Sequence, residues 1–379
     1  MNDMSKTLLI LLSAVVVMSS YNCSQLTKKE NEVNEGFVIQ KGLNASHWLS
    51  QSKKRGEERA TYMTEKDFAK IAEMGFDHVR LPIDEMHMWD EDGKRIDEAF
   101  ALMHKGIQAS LDNNLRVIID LHVLRSHHFN AANEEGDLEN TLSESSESQQ
   151  DFIKYWVELS SELKNYPNHM LAYEPMNEAV AEDHEDWNKL INWVIAEIRK
   201  LEPERTIIMG SNMWQQAATF PFLRVPEGDT NIILSFHYYN PMPFSHYKAY
   251  WNPMKTYDGP VYYPGVIVDT NDLVGLDEAA YNEIMRGYGE FNKETLARDM
   301  QPAIDKANEL GLQLFCGEFG LYPSTPMEMR VQWYKDMIEI FEENDIAWSH
   351  WNYKNDFPVV NEDLTPITEI VDVLIPSAK

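Results

Sequence analysis

Short apolar runs alternate with longer amphipathic segments from Gly36 onward. The runs that predict strands are Val38–Leu43, His78–Leu81, Arg116–Leu121, Met170–Tyr173, Thr206–Met209, Ile232–Phe236, Gln313–Cys316 and Ala347–His350. Several are β-branched with few charges, as strands buried on both faces require. The intervening segments Thr64–Met74, Asp97–Asn113, Gln149–Asn165, Trp187–Leu201, Glu294–Leu310 and Pro326–Glu343 carry helical periodicity. Thr64-Glu65-Lys66-Asp67 starts the first of these as a capping box would, Gly75 follows it, and Gly311 follows the fifth. Strands joined mostly by helices predict an α/β fold, a (β/α)8 TIM barrel forming one catalytic domain over 36–379. The connection after Met209 has no long helical pattern and is the least regular unit. A doubly wound open sheet is the alternative. It would carry a Gly-rich phosphate loop after the first strand, and Gly42-Leu43-Asn44-Ala45-Ser46 supplies none.

The first 35 residues follow a different rule. Lys6 precedes an apolar run from Leu8 to Met18, which is too short to span a bilayer and fits a secretory signal over 1–22. Cys23 then stands where bacterial lipoproteins carry their lipid, and 24–35 read as a polar tether. The predicted product is therefore exported, either held in the cell envelope through Cys23 or secreted, with membrane contact only through that anchor. Only one other cysteine, Cys316, is present, and a bridge between a tail and a late apolar strand is not expected.

Charge narrows the partners. With 33 Lys+Arg against 62 Asp+Glu, the net charge is -29, and such a surface repels nucleic acid and anionic lipid. Two connections are long: Val123 to Ser148, which is acidic and Ser-rich, and the insertion at 240–292, which carries Trp251, Tyr257, Tyr262, Tyr263 and Tyr281. An aromatic loop of that length inside a compact domain points to function.

Polar residues fall at the predicted strand ends in order. They are Arg80, His122, Asn177-Glu178, His237-Tyr238-Tyr239, Glu318 and Trp351. Singly each is ordinary; together at the C-terminal rim of a barrel they make a polar pocket with two carboxylates. His122, His127 and His128 lack the helical spacing of a metal site, so no metal or other cofactor is expected. No Gly-x-Ser-x-Gly elbow marks a serine hydrolase. Of the ten tryptophans, Trp48, Trp89, Trp214, Trp251 and Trp351 follow strand ends, where flat sugar faces would stack on them. Trp156, Trp193 and Trp333 lie in helical patterns and read as packing.

These motifs resemble glycoside hydrolase family 5, the cellulase-type family, over nearly the whole chain after the tether. The resemblance rests on Ala172-Tyr173-Glu174-Pro175-Met176-Asn177-Glu178, Cys316-Gly317-Glu318-Phe319-Gly320, Val79-Arg80-Leu81-Pro82, Asp120-Leu121-His122 and His237-Tyr238-Tyr239. Ala179 departs from the family, which usually has proline there. The match implies that Asn177 binds the sugar 2-hydroxyl, Glu178 is the acid/base and Glu318 the nucleophile of a retaining β-glycosidase. Arg80, His122, His237 and Tyr239 are implied as supporting residues. Arg80 and Tyr239 would favour ionised Glu318, while Glu318 and burial would keep Glu178 protonated. Trp351, Trp48, Trp214 and Trp251 are the candidate sugar platforms. Cys316, two residues before Glu318, would share its orientation by strand alternation. The expected substrate is a β-linked glucan cut in an endo-β-1,4 manner, with mannan, xyloglucan or exo-β-glucosidase action as alternatives. A glycan-binding lipoprotein without catalysis is the reading from a different class, and it expects one carboxylate to be lost.

Overall fold

The computed structural model describes residues 36–130 and 140–376. The signal segment, Cys23 and the tether lie outside these. In chain order the strands are β1 (Lys41–Asn44), β2 (His78–Asp84), β3 (Arg116–Val123), β4 (Leu171–Glu174), β5 (Ile207–Gly210), β6 (Ile232–His237), β7 (Gly265–Val266), β8 (Glu290–Phe291), β9 (Leu314–Phe319) and β10 (Ile346–His350). All but β7 and β8 pair in parallel and close into an eight-stranded barrel, in which β10 meets β1. β7 and β8 make a small antiparallel ribbon inside the 240–292 insertion.

Helices Glu65–Glu73, Asp97–Asp112, Ser146–Leu163, His184–Leu201, Lys293–Leu310 and Met327–Glu343 cover the barrel. Each turns an apolar stripe inward, so the main core is the layer between strands and helices. The Asp67 carboxylate accepts the Thr64 amide at 2.8 Å at one start, and Gly311 closes another helix with φ 64°, a left-handed cap that suits glycine. Between β5 and β6 there is only a 3-10 turn, Ala217–Phe222, in agreement with the missing periodicity. No described helix is long and apolar enough to cross a membrane.

Two predicted boundaries shift in a way that matters. β2 was expected to stop before Pro82, but it pairs with β3 as far as Asp84. Arg80 is therefore mid-strand, deep inside the barrel, and not at the rim. β9 was expected to end at Cys316 but runs on through Glu318, with a break in its register: Phe236 opposes Cys316, and His237 opposes Glu318. Gly317 is the extra residue of a β-bulge, which reverses alternation beyond it. The expectation for Cys316 is thus corrected. Cys316 shares a row with Phe236 and Trp348 in the layer facing the helices, while the bulge turns Glu318 inward. Gly317 itself has no room for a side chain: a Cβ would lie 2.9 Å from Ser235 Oγ and 3.0 Å from His237 Nε2.

Candidate active site

Near the C-terminal strand ends the barrel interior turns from apolar to polar, around one buried guanidinium. Arg80 Nε donates to Glu174 at 2.6 Å, and its terminal nitrogens reach Glu318 Oε1 at 2.7 Å, Asn177 Oδ1 at 2.8 Å, Asn44 Oδ1 at 3.0 Å and Asp120 at 3.0 Å. Burial works against its charge, but Asp120, Glu174 and Glu318 more than offset that, and Arg80 remains a cation. Removing one partner from such a buried network typically costs about 3–5 kcal/mol.

Glu318, bonded to this cation, lies close to Glu178, and His237 Nδ1 is 2.8 Å from Glu178 and 3.8 Å from Glu318. Glu318 Oε2 accepts the Tyr239 hydroxyl at 2.9 Å, while Glu178 Oε1 meets His237 Nδ1 at 2.8 Å. One oxygen of each carboxylate and one nitrogen of His237 lie within 4.8 Å of one another. Three such donors could in principle hold a metal ion, but the Arg80 guanidinium already occupies Glu318 and would repel a second cation. Burial, then the charge of Glu318, pushes Glu178 well above the usual carboxylate range. Burial also raises Glu318, but the Arg80 charge and the Tyr239 phenol pull it back. The two environments therefore separate the pair, with Glu178 the better proton holder. Burial lowers His237 and His122 well below their ordinary range, so both stay neutral.

The rest of the pocket follows from these contacts. His122 Nδ1 lies 2.7 Å from Asp120, its Nε2 faces the Gln51 amide at 2.8 Å, and its ring stacks on Trp351 with centroids 5.4 Å apart at 11°. Asp120, raised by burial to about 7, steadies that ring from below. Asn177 keeps its Nδ2 buried with no protein partner among the described residues, a donor available to a ligand. The three neighbouring histidines diverge: His122 goes to Asp120, His127 Nε2 to the Glu178 carbonyl at 3.1 Å, and His128 stacks on Phe129.

The predicted platforms divide. Trp351 lies in the pocket. Trp214 is half-buried near it, and its indole N–H donates to the Phe129 carbonyl at 2.9 Å. Trp251 is 39% exposed and packs edge-on against Tyr322 and His246; through His246 it adjoins Tyr239. Trp48 is not in the cleft. It is fully buried, donates to the Arg59 carbonyl at 2.8 Å and lies against Gly106 of the Asp97–Asp112 helix. Trp89 is likewise buried, against Phe100 and Tyr155. Position after a strand end does not say which way an indole turns; Trp48 and Trp89 serve as core, their N–H groups satisfied by the Arg59 carbonyl and, at 3.1 Å, the Glu158 carboxylate. Trp193, read as packing, is instead 45% exposed.

Several residues in the pocket escaped the sequence reading. Asn44 ends β1, Gln51 lies in the connection that follows it, and Gln215, fully buried, touches both Glu174 and the Glu178 backbone. No motif flags them. Asp120 and Glu174 stood inside quoted motifs, and their spacing of two from His122 and four from Glu178 was the available clue.

The chain matches the family model described as cellulase (glycosyl hydrolase family 5) over residues 32–357. It is 33% identical to Endoglucanase C of Acetivibrio thermocellus over 340 residues, covering 88% of this chain and 97% of the relative. It is 29% identical to Cellodextrinase A of Ruminococcus flavefaciens, covering 82% of this chain and 84% of that one. Endoglucanase Cel5A of Thermotoga maritima, a solved structure, shares the fold with a TM-score of 0.71 at 23% identity, covering 90% of this chain and 98% of the other. A barrel of this topology, with its paired glutamates on β9 and just beyond β4, and matches of this length mean that the chain belongs to glycosyl hydrolase family 5, the cellulase family.

Proposed function

We propose that this protein is a retaining endo-β-1,4-glucanase in which Glu178 is the acid/base and Glu318 the nucleophile. The observation that carries the reading is the approach of the two carboxylates within 4.8 Å in unequal environments. Retaining glycosidases hold their carboxyl groups about 5–5.5 Å apart, whereas inverting ones leave about 6.5–9.5 Å for a water. Ionised Glu318, oriented by Arg80 and Tyr239, attacks the anomeric carbon while protonated Glu178 donates to the leaving oxygen. With Glu318 esterified its negative charge is gone, Glu178 becomes more acidic, and it deprotonates the incoming water. The free Nδ2 of Asn177 is the donor for the sugar 2-hydroxyl, and Trp351 is the platform beneath the sugar at the cleavage point. Both carboxylates are retained, which speaks against a purely glycan-binding role.

The glucan assignment draws on Endoglucanase C, and the name Cellodextrinase A makes short β-1,4-glucans the second substrate to try. Purified protein offered cellulose derivatives, mannan, xyloglucan and cello-oligosaccharides is expected to cut the first in mid-chain, lowering viscosity faster than it releases reducing ends. Preference for mannan, or release of single glucose units only, would refute the assignment.

The wall beyond the pair is built by the insertion. Tyr239 leads through Phe357, ring centroids 6.0 Å apart, to Trp251, another 6.0 Å on. We expect Trp251→Ala to raise KM for cellopentaose several-fold, with a smaller rise for cellobiosides and an unchanged melting temperature. A lower melting temperature with equal effects on all substrates would make Trp251 a packing residue.

Export is part of the proposal. If Cys23 carries lipid, the protein sediments with membranes and Cys23→Ser releases it; membrane-free wild-type protein starting at another residue refutes the anchor.

A further inference from the structure

The segment after β5 has a backbone that its sequence does not advertise. Met213, Trp214 and Gln215 have φ values of 60°, 60° and 52°, three successive non-glycine residues in the left-handed region. Side chains rarely tolerate that even singly, and such strain persists where the surroundings over-determine it. The surroundings here are the acid/base apparatus. Gln215 Oε1 accepts the Glu178 backbone N–H at 2.8 Å, and its Nε2 donates to Glu174 Oε1 at 3.1 Å and to Ser235 Oγ at 3.1 Å. Its backbone carbonyl accepts the His237 N–H at 3.0 Å, and the adjacent Trp214 N–H donates to the Ala179 carbonyl at 3.2 Å.

We infer that Gln215 is a positioning residue for proton transfer, fixing Glu178 and its partner His237 in one frame. The inference rests on the assignment of Glu178 as acid/base. Glu178 itself has φ 45°, so its conformation also needs support from outside. Gln215 supplies this at the Glu178 amide with its side chain, and at the His237 amide with its own carbonyl. The imidazole of His237 then meets the Glu178 carboxyl at 2.8 Å. The loop closes on itself: Glu178 backbone, Gln215, His237 backbone, His237 ring, Glu178 carboxyl.

The amide cannot be turned around. Exchanging its oxygen and nitrogen would set NH2 against the Glu178 N–H and oxygen against the Glu174 carboxylate. A carboxylate in its place would keep the first contact and repel Glu174. Gly210 at the end of β5 makes the placement possible, since a Cβ there would lie 2.3 Å from Gln215 Cγ. Gln215 touches the backbone and not the carboxyl of Glu178, so it acts through orientation.

The test is the dependence on leaving group, measured per active site titrated with a 2-fluoro cellobioside inactivator. Gln215→Ala is expected to lower kcat/KM about 100-fold on cellotetraose, the scale of a misplacement near 1 Å. On dinitrophenyl cellobioside, whose leaving group needs no proton, the loss is expected to stay within about 3-fold. Gln215→Glu, close in volume, is expected to fall between the two and to improve as pH drops and its carboxyl becomes neutral. Equal losses on both substrates, or none, overturn the inference, and Gln215→Glu decides if the alanine variant does not fold. Glu178→Ala run alongside separates the two levels. If it splits the substrates and neither Gln215 variant does, only the role of Gln215 fails. If it shows no split, the acid/base assignment fails and this inference with it.

Discussion

Glu178→Ala is expected to slow hydrolysis of cello-oligosaccharides by about 10²–10⁴-fold, the usual worth of positioned acid/base catalysis. Alkoxide leaving groups must be protonated as the bond breaks. Of the other described carboxyl groups that burial raises, Glu318 has the opposite role in the proposal, and Asp84, Asp120 and Glu174 are buried, the last two against Arg80. Dinitrophenyl cellobioside bypasses that step, so the variant should form its glycosyl-enzyme quickly and stall there for want of a base. Added azide, which needs no deprotonation, should release the sugar as a β-glycosyl azide. The pH profile gives an independent reading. The proposed mechanism requires Glu178 protonated and Glu318 ionised. Activity therefore falls as pH rises through the Glu178 titration, which burial and Glu318 have moved upward, and falls again as pH drops and Glu318 gains a proton. On the activated substrate the variant should lose the basic limb and keep the acidic one. Equal loss on both substrates, without azide rescue, would remove Glu178 from the role.

Much of this site could be read before the fold was known, for a physical reason. Parallel barrel strands are buried on both faces, so their apolar runs stand out, and the polar residue ending each run is driven to one rim. Arg80, His122, Asn177, Glu178, His237, Tyr239, Glu318 and Trp351 came from that regularity together with the family motifs. What stayed hidden depends on local backbone geometry. The bulge at Gly317, which sends Cys316 toward the helices and Glu318 toward the pocket, looks in sequence like one more glycine. The depth of Arg80 was concealed by Pro82, read as a strand end, although the strand continues through it. Gln215 reaches Glu178 only through a left-handed turn that no residue type signals. Indoles are harder still. Trp48 and Trp351 both follow strand ends, and only the neighbours, Gly106 and an Arg59 carbonyl for one and His122 for the other, decide between core and cleft.

The larger loss is expected at Glu318. With Glu318 as the proposed nucleophile, Glu318→Ala should abolish the covalent route itself, and turnover of every β-glucoside should fall on the order of 10⁵–10⁶-fold, as for loss of a catalytic nucleophile elsewhere. Azide should act differently here than with Glu178→Ala. It can enter the space left by the carboxylate on the α face and displace an activated β-leaving group directly, giving an α-glycosyl azide. The wild-type protein carries the complementary signature. Two displacements return the original configuration, so proton NMR of a fresh digest should show the β-anomer first and the α-anomer only by mutarotation. A 2-fluoro cellobioside inactivator should label Glu318 alone. Arg80 and Tyr239 each bond one of its oxygens, at 2.7 and 2.9 Å, contacts that favour the ionised form and fix its orientation before substrate arrives. Cys316→Ala removes a weak thiol contact to the Glu318 backbone carbonyl at 3.3 Å but none of the partners of its carboxylate, and should leave both the label and the retention unchanged. Initial release of the α-anomer would mean a single displacement by water. That would require a wider gap than these glutamates leave, with an oxygen of each within 4.8 Å of the other, and the role of Glu318 would fall with it.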